Sequence, residues 1–182
     1  MLVEDETDLL LYPPLRSCWS LRGHAKRVLL SGRNDRRVIF GALDLLTGRR
    51  ILLPREHQRG ADFCQFLRWI RRQEPDGLIS LLVDEDASHT AAASQQLAVD
   101  LEIRLLWLPV RCPHLNPMEP LWGLGKQVVC ANRQEPRIDL LARQFIDFLL
   151  HLSDEEALRT AGVYSERFWL RFILSKYFCE PA

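Results

Sequence analysis

The sequence predicts an α/β protein built on one mixed sheet, an antiparallel meander joined to parallel βαβ strands and flanked by helices. Three features predict it. The first 55 residues hold short apolar runs parted by turn signals. Residues 78–108 read as apolar run, short helix, apolar run. Beyond Pro117 the pattern is helical almost to the end.

Residues 1–11 open the sheet: an apolar start, an acidic knot of Glu4, Asp5 and Glu6, then Leu9 to Leu11. A strand carrying acidic side chains reads this way, and Pro13-Pro14 ends it. Residues 27–31, 38–44 and 50–53 are the next expected strands, separated by Gly32-Arg33-Asn34-Asp35 and Thr47-Gly48. Phe63, Phe66, Leu67 and Ile70 then recur at helical spacing until Pro75-Asp76-Gly77. Leu78–Val83 is a near-continuous apolar run of strand length, as expected for a strand buried on both faces. Residues 90–99 read as a helix and Ile103–Leu108 as a strand. Strand, helix, strand makes a βαβ unit, so the two strands should run parallel. Ile138, Leu141, Phe145, Phe148 and Leu149 mark one face of a helix over 138–150, and helices are expected over 153–160 and 166–178.

The 182 residues suit one domain, 1–182, and 47% apolar with 26% charged residues is a globular composition. The net charge is zero, which gives no support to strong non-specific nucleic-acid binding. Basic residues nevertheless concentrate in one stretch, Arg22, Lys26, Arg27, Arg33, Arg36, Arg37, Arg49, Arg50 and Arg55, with Arg68, Arg71 and Arg72 later. They fit either a solvated surface or forks for phosphate. Five widely spaced cysteines without a C-x-x-C pair read as reduced thiols, and Cys112 with His114 lacks the second pair a zinc site needs. The acidic start is no signal peptide, and no apolar run spans a bilayer, so a cytoplasmic protein without membrane partners is expected.

Three acidic residues carry the chemistry. Asp84 ends the apolar strand, where sites collect in sheets with parallel strands. Asp5 lies in the first strand, and Glu119 at the start of the helix after the last. If they converge, they suit Mg²⁺, which takes oxygen ligands and keeps several waters. Two such ions can clamp the attacking and leaving oxygens of a phosphodiester substitution. Plainer readings stand beside this. Asn116 is a favoured N-cap, Pro117 suits the first helical position, and Glu119 would then complete a capping box. Pro120 argues against that frame, because one position further in it would delete a helical hydrogen bond. Asp84 could serve as a turn residue or N-cap, and Asp5 as an exposed strand residue. A hydrolase using two carboxylates without metal is a further reading.

The stretches LLVDEDASHT and LLWLPVRCPHLNPMEPLWGLGKQVVCANR resemble the core of the DDE-type transposases of the mariner superfamily, in its bacterial insertion-sequence branch. Asp84 with His89, Asn116-Pro117-Met118-Glu119 with Trp122 and Lys126, and Asp5-Glu6-Thr7 match that pattern, and 34 residues separate Asp84 from Glu119. FGALDLLTGRR resembles the family's meander, and the likeness extends over roughly residues 3 to 150. The resemblance implies a ribonuclease H-like fold and two Mg²⁺ or Mn²⁺ ions held by Asp5, Asp84 and Glu119. It also implies cleavage and strand transfer of DNA at transposon ends and target. His89, Asn116, Trp122 and Lys126 are the expected supporting or DNA-contacting residues, His89 and Lys126 having plain structural or solvated readings as well. Glu85 stands where the family commonly has Asn, adding charge beside the site. The family's N-terminal helix-turn-helix region has no counterpart before Asp5, so a separate N-terminal DNA-binding product or a homodimer is an expected partner. The alternative is a non-catalytic remnant that keeps the fold and binds DNA ends or full-length transposase.

Overall fold

The computed structural model describes residues 1–24 and 27–174. Lys26 and Cys179 of the sequence reading lie outside them. Five strands form one sheet: β1 (Leu2–Leu10), β2 (Arg36–Asp44), β3 (Arg50–Arg55), β4 (Ile79–Val83) and β5 (Ile103–Trp107), in the order β3-β2-β1-β4-β5. β1, β2 and β3 pair antiparallel, whereas β1–β4 and β4–β5 pair parallel. This is the expected meander joined to a βαβ unit.

Two apolar cores sandwich the sheet. On one face Leu2, Val38, Phe40 and Leu81 pack against α1 (Gly60–Gln73) and α3 (Ala92–Asp100). Phe63, Phe66, Leu67 and Ile70 of α1 are fully buried there, each worth roughly 1.5–3 kcal/mol on transfer from water. The short α2 (Ala87–Thr90) lies between β4 and α3. On the other face Val3, Leu9, Ile39 and Leu43 pack against α4 (Met118–Gly125) and α5 (Ile138–His151). Helix α4 widens into a π turn over Lys126–Cys130. Helix α6 (Asp154–Thr160) starts with a Ser153/Glu156 capping box, and α7 is Arg171–Leu174.

Two expected elements differ. Residues 27–31 form no strand: both sides of β2 are taken by β1 and β3, so the run cannot pair with the strand that follows it in the chain, and it joins neither outer edge of the sheet. Leu29 and Leu30 instead stand exposed, and Gln134 and Asn132 hold the connection through Ser31 N–H and Arg16 N–H. The helix expected over 166–178 shrinks to Arg171–Leu174 within the described residues; 175–178 lie outside them. Residues 162–170 turn tightly around Leu170, which is buried, and the indole of Trp169 bonds Leu115 O. Trp107 and Trp169 are exposed at 41% and 42%, whereas Trp122 is buried.

From Arg33 to Arg55 the arginine-rich stretch serves the fold. Arg50, buried, donates to the carbonyls of Gly48, Leu149, Leu150 and Leu152 and to Asp154, closing the C-terminal end of α5. Arg71 likewise bonds four carbonyls around the end of α1. Arg33, Arg36, Arg37, Arg49 and Arg55 pair with carboxylates. These forks are occupied within the protein rather than held out for phosphate.

Candidate active site

The site arises where two parallel strands part. β1 and β4 pair only at Leu2–Leu81 and Val3–Leu82. Continuing that register two steps sets Asp5 level with Asp84, just beyond the last pair. β1 goes on paired to β2, while the chain leaves β4 for α2. The parting opens a cleft of about 310 Å³ that Asp5, Asp84 and Glu119 all line, together with Glu85, Asp86 and Arg111. The structure thus brings the three expected carboxylates to one cleft, from β1, the end of β4 and the first turn of α4.

Each is fixed by a named neighbour. The indole Nε1–H of Trp122 donates to Asp5 Oδ2 at 2.9 Å. Trp122 reaches it because Gly41, the β2 partner of Asp5, has no side chain: a Cβ there would lie 2.4 Å from the indole Cη2. Asn116 is buried, with its Nδ2–H donating to Glu4 O at 3.0 Å and its Oδ1 accepting from Met118 N–H at 3.0 Å. It pins the start of α4 to β1, so Asn116 positions Glu119 rather than reaching outward. Helix α4 begins at Met118, which places Pro120 in its first turn, where a missing N–H costs nothing. The expected capping box is only half formed: Asn116 Oδ1 takes the N–H of Met118, but the N–H of Asn116 bonds Pro113 O rather than Glu119. The carboxylate of Glu119 is left facing the cleft.

Asp84 is 53% exposed, and its Oδ1 accepts from Asp86 N–H and from His89 Nδ1 at 2.9 Å. The cap of α2 is Asp86, through Ser88 N–H, and not Asp84. The ring of His89 lies against Phe63, and its Nε2 faces Glu6 Oε1 at 3.1 Å. Lys126 does not join this cleft. Seven helical residues carry it about 10 Å along the axis from Glu119. There it lines a neighbouring cleft with Asp8, Tyr12 and Cys130.

Electrostatics mark Asp5 as the strained member. Burial, then the charges of Glu119 and Glu6, push its carboxyl up to about 8, against the Trp122 bond that lowers it. The bond from His89 holds Asp84 below the usual carboxylate value. Asp5 feels both Glu119 and Asp84, so it stands between them electrostatically. Two features escaped the sequence reading. Arg111, an exposed residue at φ 59°, is a cation on the cleft wall with no carboxylate partner among the described residues. Glu4 and Glu6 gather with His89 on the opposite face of β1, their ligating atoms within 4.8 Å of one another. Strand alternation carried that signal, since period two separates Glu4 and Glu6 from Asp5. Cys112 and His114 gather no third donor among the described residues, and Cys18, Cys64, Cys112 and Cys130 are free thiols. No described helix is long and apolar enough to cross a membrane.

Comparison with known proteins agrees with this architecture. The family model for the DDE superfamily endonuclease matches residues 1–142. An insertion element IS630 uncharacterized 39 kDa protein of Shigella sonnei is 30% identical over 133 residues, covering 72% of this chain and 39% of that protein. The catalytic domain of Mos1 mariner transposase superimposes with a TM-score of 0.64 at 18% identity, over 92% of this chain and 78% of that one. The Mos1 mariner paired-end complex with Mn gives 0.70 at 18% identity, over 98% and 56%. The fold is therefore ribonuclease H-like, and the chain spans about two-fifths of the length of its insertion-element relative. With its family model running from Met1 into the first turn of α5, the chain belongs to the DDE superfamily endonucleases.

Proposed function

We propose that this chain is the catalytic domain of an insertion-sequence transposase that cuts and rejoins DNA phosphodiester bonds, with Asp5, Asp84 and Glu119 as its metal-binding catalytic residues. The observation that carries this reading is the convergence of three carboxylates on one cleft at the parting of β1 and β4. The residues fit divalent cations. All three are oxygen donors, which suit Mg²⁺ or Mn²⁺. Burial and then the repulsion of Glu119 and Glu6 raise Asp5, and a bound cation would offset both. The three do not form one tight donor trio, whereas Glu4, Glu6 and His89 do. A set spread along the cleft would suit two ions better than a single caged one, with Asp5, Asp84 and Glu119 as the residues that would hold them.

When bound, two such ions activate the attacking water or 3′-hydroxyl and stabilise the leaving oxygen. The protein's part is positioning. Trp122 holds Asp5, His89 holds Asp84, and Asn116 fixes the turn that presents Glu119. Arg111 on the cleft wall meets the phosphate of the incoming strand. The substrate on this reading is DNA, at the ends of a mobile element and at its target. The Mos1 complexes contain transposon ends, which supports that choice. A net charge of zero supplies little general attraction to DNA, so on this reading recognition of the ends is shared with a DNA-binding region outside these residues or with a second copy of the chain. Glu119→Gln keeps the shape and removes a ligand charge. It should abolish Mg²⁺- or Mn²⁺-dependent nicking of DNA carrying the element's ends, with an unchanged circular dichroism spectrum. Nicking at the parent rate would remove the assignment.

A further inference from the structure

The most unusual chemistry outside the cleft is in the interior. Alternation along β1 sends Asp5 to the α4 face and Glu4 and Glu6 to the α1 face. Glu4 is 0% exposed, and neither of its carboxylate oxygens has a hydrogen-bond partner. Leaving a buried carboxylate so is costly unless a cation or a proton meets it. Among the described residues His89, itself 1% exposed, is the only ion-pair partner of Glu4 and of Glu6.

We propose that Glu4, Glu6 and His89 form a second, structural site for one divalent transition-metal ion, Zn²⁺ by preference, on the face of β1 opposite the catalytic cleft. His89 Nε2 lies 3.1 Å from Glu6 Oε1 and 3.5 Å from Glu4 Oε2. Ligands about 2.1 Å from a tetrahedral Zn²⁺ are separated by about 3.4 Å, so the donors already stand at the edge length of such a site. Neither oxygen of Glu4 has a hydrogen-bond partner, so its carboxylate is free to grip one ion as a chelating ligand beside one donor each from Glu6 and His89. The ring orientation agrees. Nδ1 bonds Asp84 O at 3.1 Å and Asp84 Oδ1 at 2.9 Å, which leaves Nε2 for a metal in the usual carboxylate–histidine–metal arrangement. A mixed imidazole and carboxylate set favours Zn²⁺ over Mg²⁺, so this site differs in kind from the all-oxygen cleft. The ion would lie under Phe63, away from water, and bind β1 to α2.

This site does not depend on the cleft cutting DNA, and its test silences the cleft first. The full chain carrying Asp5→Asn and Glu119→Gln is stripped with chelator, loaded with Zn²⁺ alone, desalted and assayed for metal by mass spectrometry. One Zn²⁺ per chain should remain, and its melting temperature should rise with Zn²⁺ concentration. Adding Glu4→Leu should remove both effects without unfolding the protein, because an apolar side chain replaces a buried charge. Glu4→Gln, nearly isosteric, should do the same and guards against a packing defect from Leu. Co²⁺ in place of Zn²⁺ should give the visible bands of a four-coordinate centre in the parent and not in either Glu4 variant. Failure of the parent to retain Zn²⁺, or equal retention by both Glu4 variants, overturns the proposal and leaves shared protons as the occupant of the cluster.

Discussion

Replacing Trp122 by Phe removes one bond from the cleft while keeping an aromatic ring over Phe145, with which the indole stacks at 6.0 Å. The lost bond, Nε1–H to Asp5 Oδ2 at 2.9 Å, favours the ionised carboxylate, so the Asp5 carboxyl should rise further above its value of about 8. A hydrogen bond to a charged group contributes about 1.5–3 kcal/mol. One tenfold step is about 1.4 kcal/mol, so Mn²⁺ affinity should fall roughly 10- to 100-fold. Calorimetric titration with Mn²⁺ at about pH 7 measures this loss. Repeating it at about pH 9, where Asp5 of the parent is already ionised, should leave a smaller difference. Equal Mn²⁺ affinity in Trp122→Phe and parent, with the fold retained, would refute the role given to this bond. A second measurement isolates the geometry. Gly41→Ala should cost about 1–3 kcal/mol in urea unfolding, because its Cβ meets indole atoms at 2.4 and 2.7 Å. In the Trp122→Phe background those atoms are gone, so the two changes should couple by about 1 kcal/mol or more. Strict additivity would contradict the close approach described.

The two glycines of α4 should separate cleanly: Gly123→Ala, facing open space, should stabilise by about 1 kcal/mol, while Gly125→Ala, 2.6 Å from the Phe145 ring, should destabilise, both read by urea unfolding. Arg111→Ala should weaken binding of a short DNA duplex and lower the slope of log K against log salt by about 1, if Arg111 contacts one phosphate; an unchanged slope removes it from the interface. In chelator, thermal stability should fall as pH rises from about 4 to about 8, because folded Asp5 keeps its proton up to about 8 whereas an unfolded Asp loses it near 3.8. The lowered Asp84 acts in the opposite sense but only at acid pH, losing its contribution as pH falls below the ordinary carboxylate value, so a flat melting profile across that window would contradict the burial of Asp5.

What the sequence made legible follows from burial. β4 read as an apolar run because a parallel strand inside a sandwich faces hydrocarbon on both sides, and Leu81, Leu82 and Val83 do; β5, at the sheet edge, buries Ile103 but leaves Leu106 and Trp107 exposed. Asp84 and Glu119 were legible because a charge directly after such a run, or in a stiff Asn-Pro turn, needs a reason. The run at 27–31 misled because local apolar content says nothing about which strand a run would pair with, and its neighbour in the chain, β2, is paired on both sides. Arg111 was illegible, since neither its left-handed backbone nor the cleft wall it occupies leaves a trace in residue type. The arginine-rich stretch suggested phosphate, yet Arg50 shows the same fork geometry satisfying helix-end carbonyls instead. Composition cannot tell those two uses apart.

The acidic knot of β1 shows most clearly how a sheet divides adjacent residues. Had Glu4, Asp5 and Glu6 lain in a helix, their charges would have fanned around one axis into solvent. In a strand flanked by β2 and by the start of β4, they must alternate between two covered faces. Each face then needs its own compensation. Asp5 obtains an indole N–H and an open cleft; Glu4 and Glu6 obtain His89 in the interior. The faces are not independent, because the ring that serves Glu4 and Glu6 through Nε2 also grips Asp84 through Nδ1. Whatever occupies the buried pocket fixes the tautomer and tilt of that ring, and so sets where the Asp84 carboxylate stands in the cleft. A change at Glu4, which never touches the cleft, should therefore alter metal binding at Asp84 more than an exposed charge such as Glu85 does.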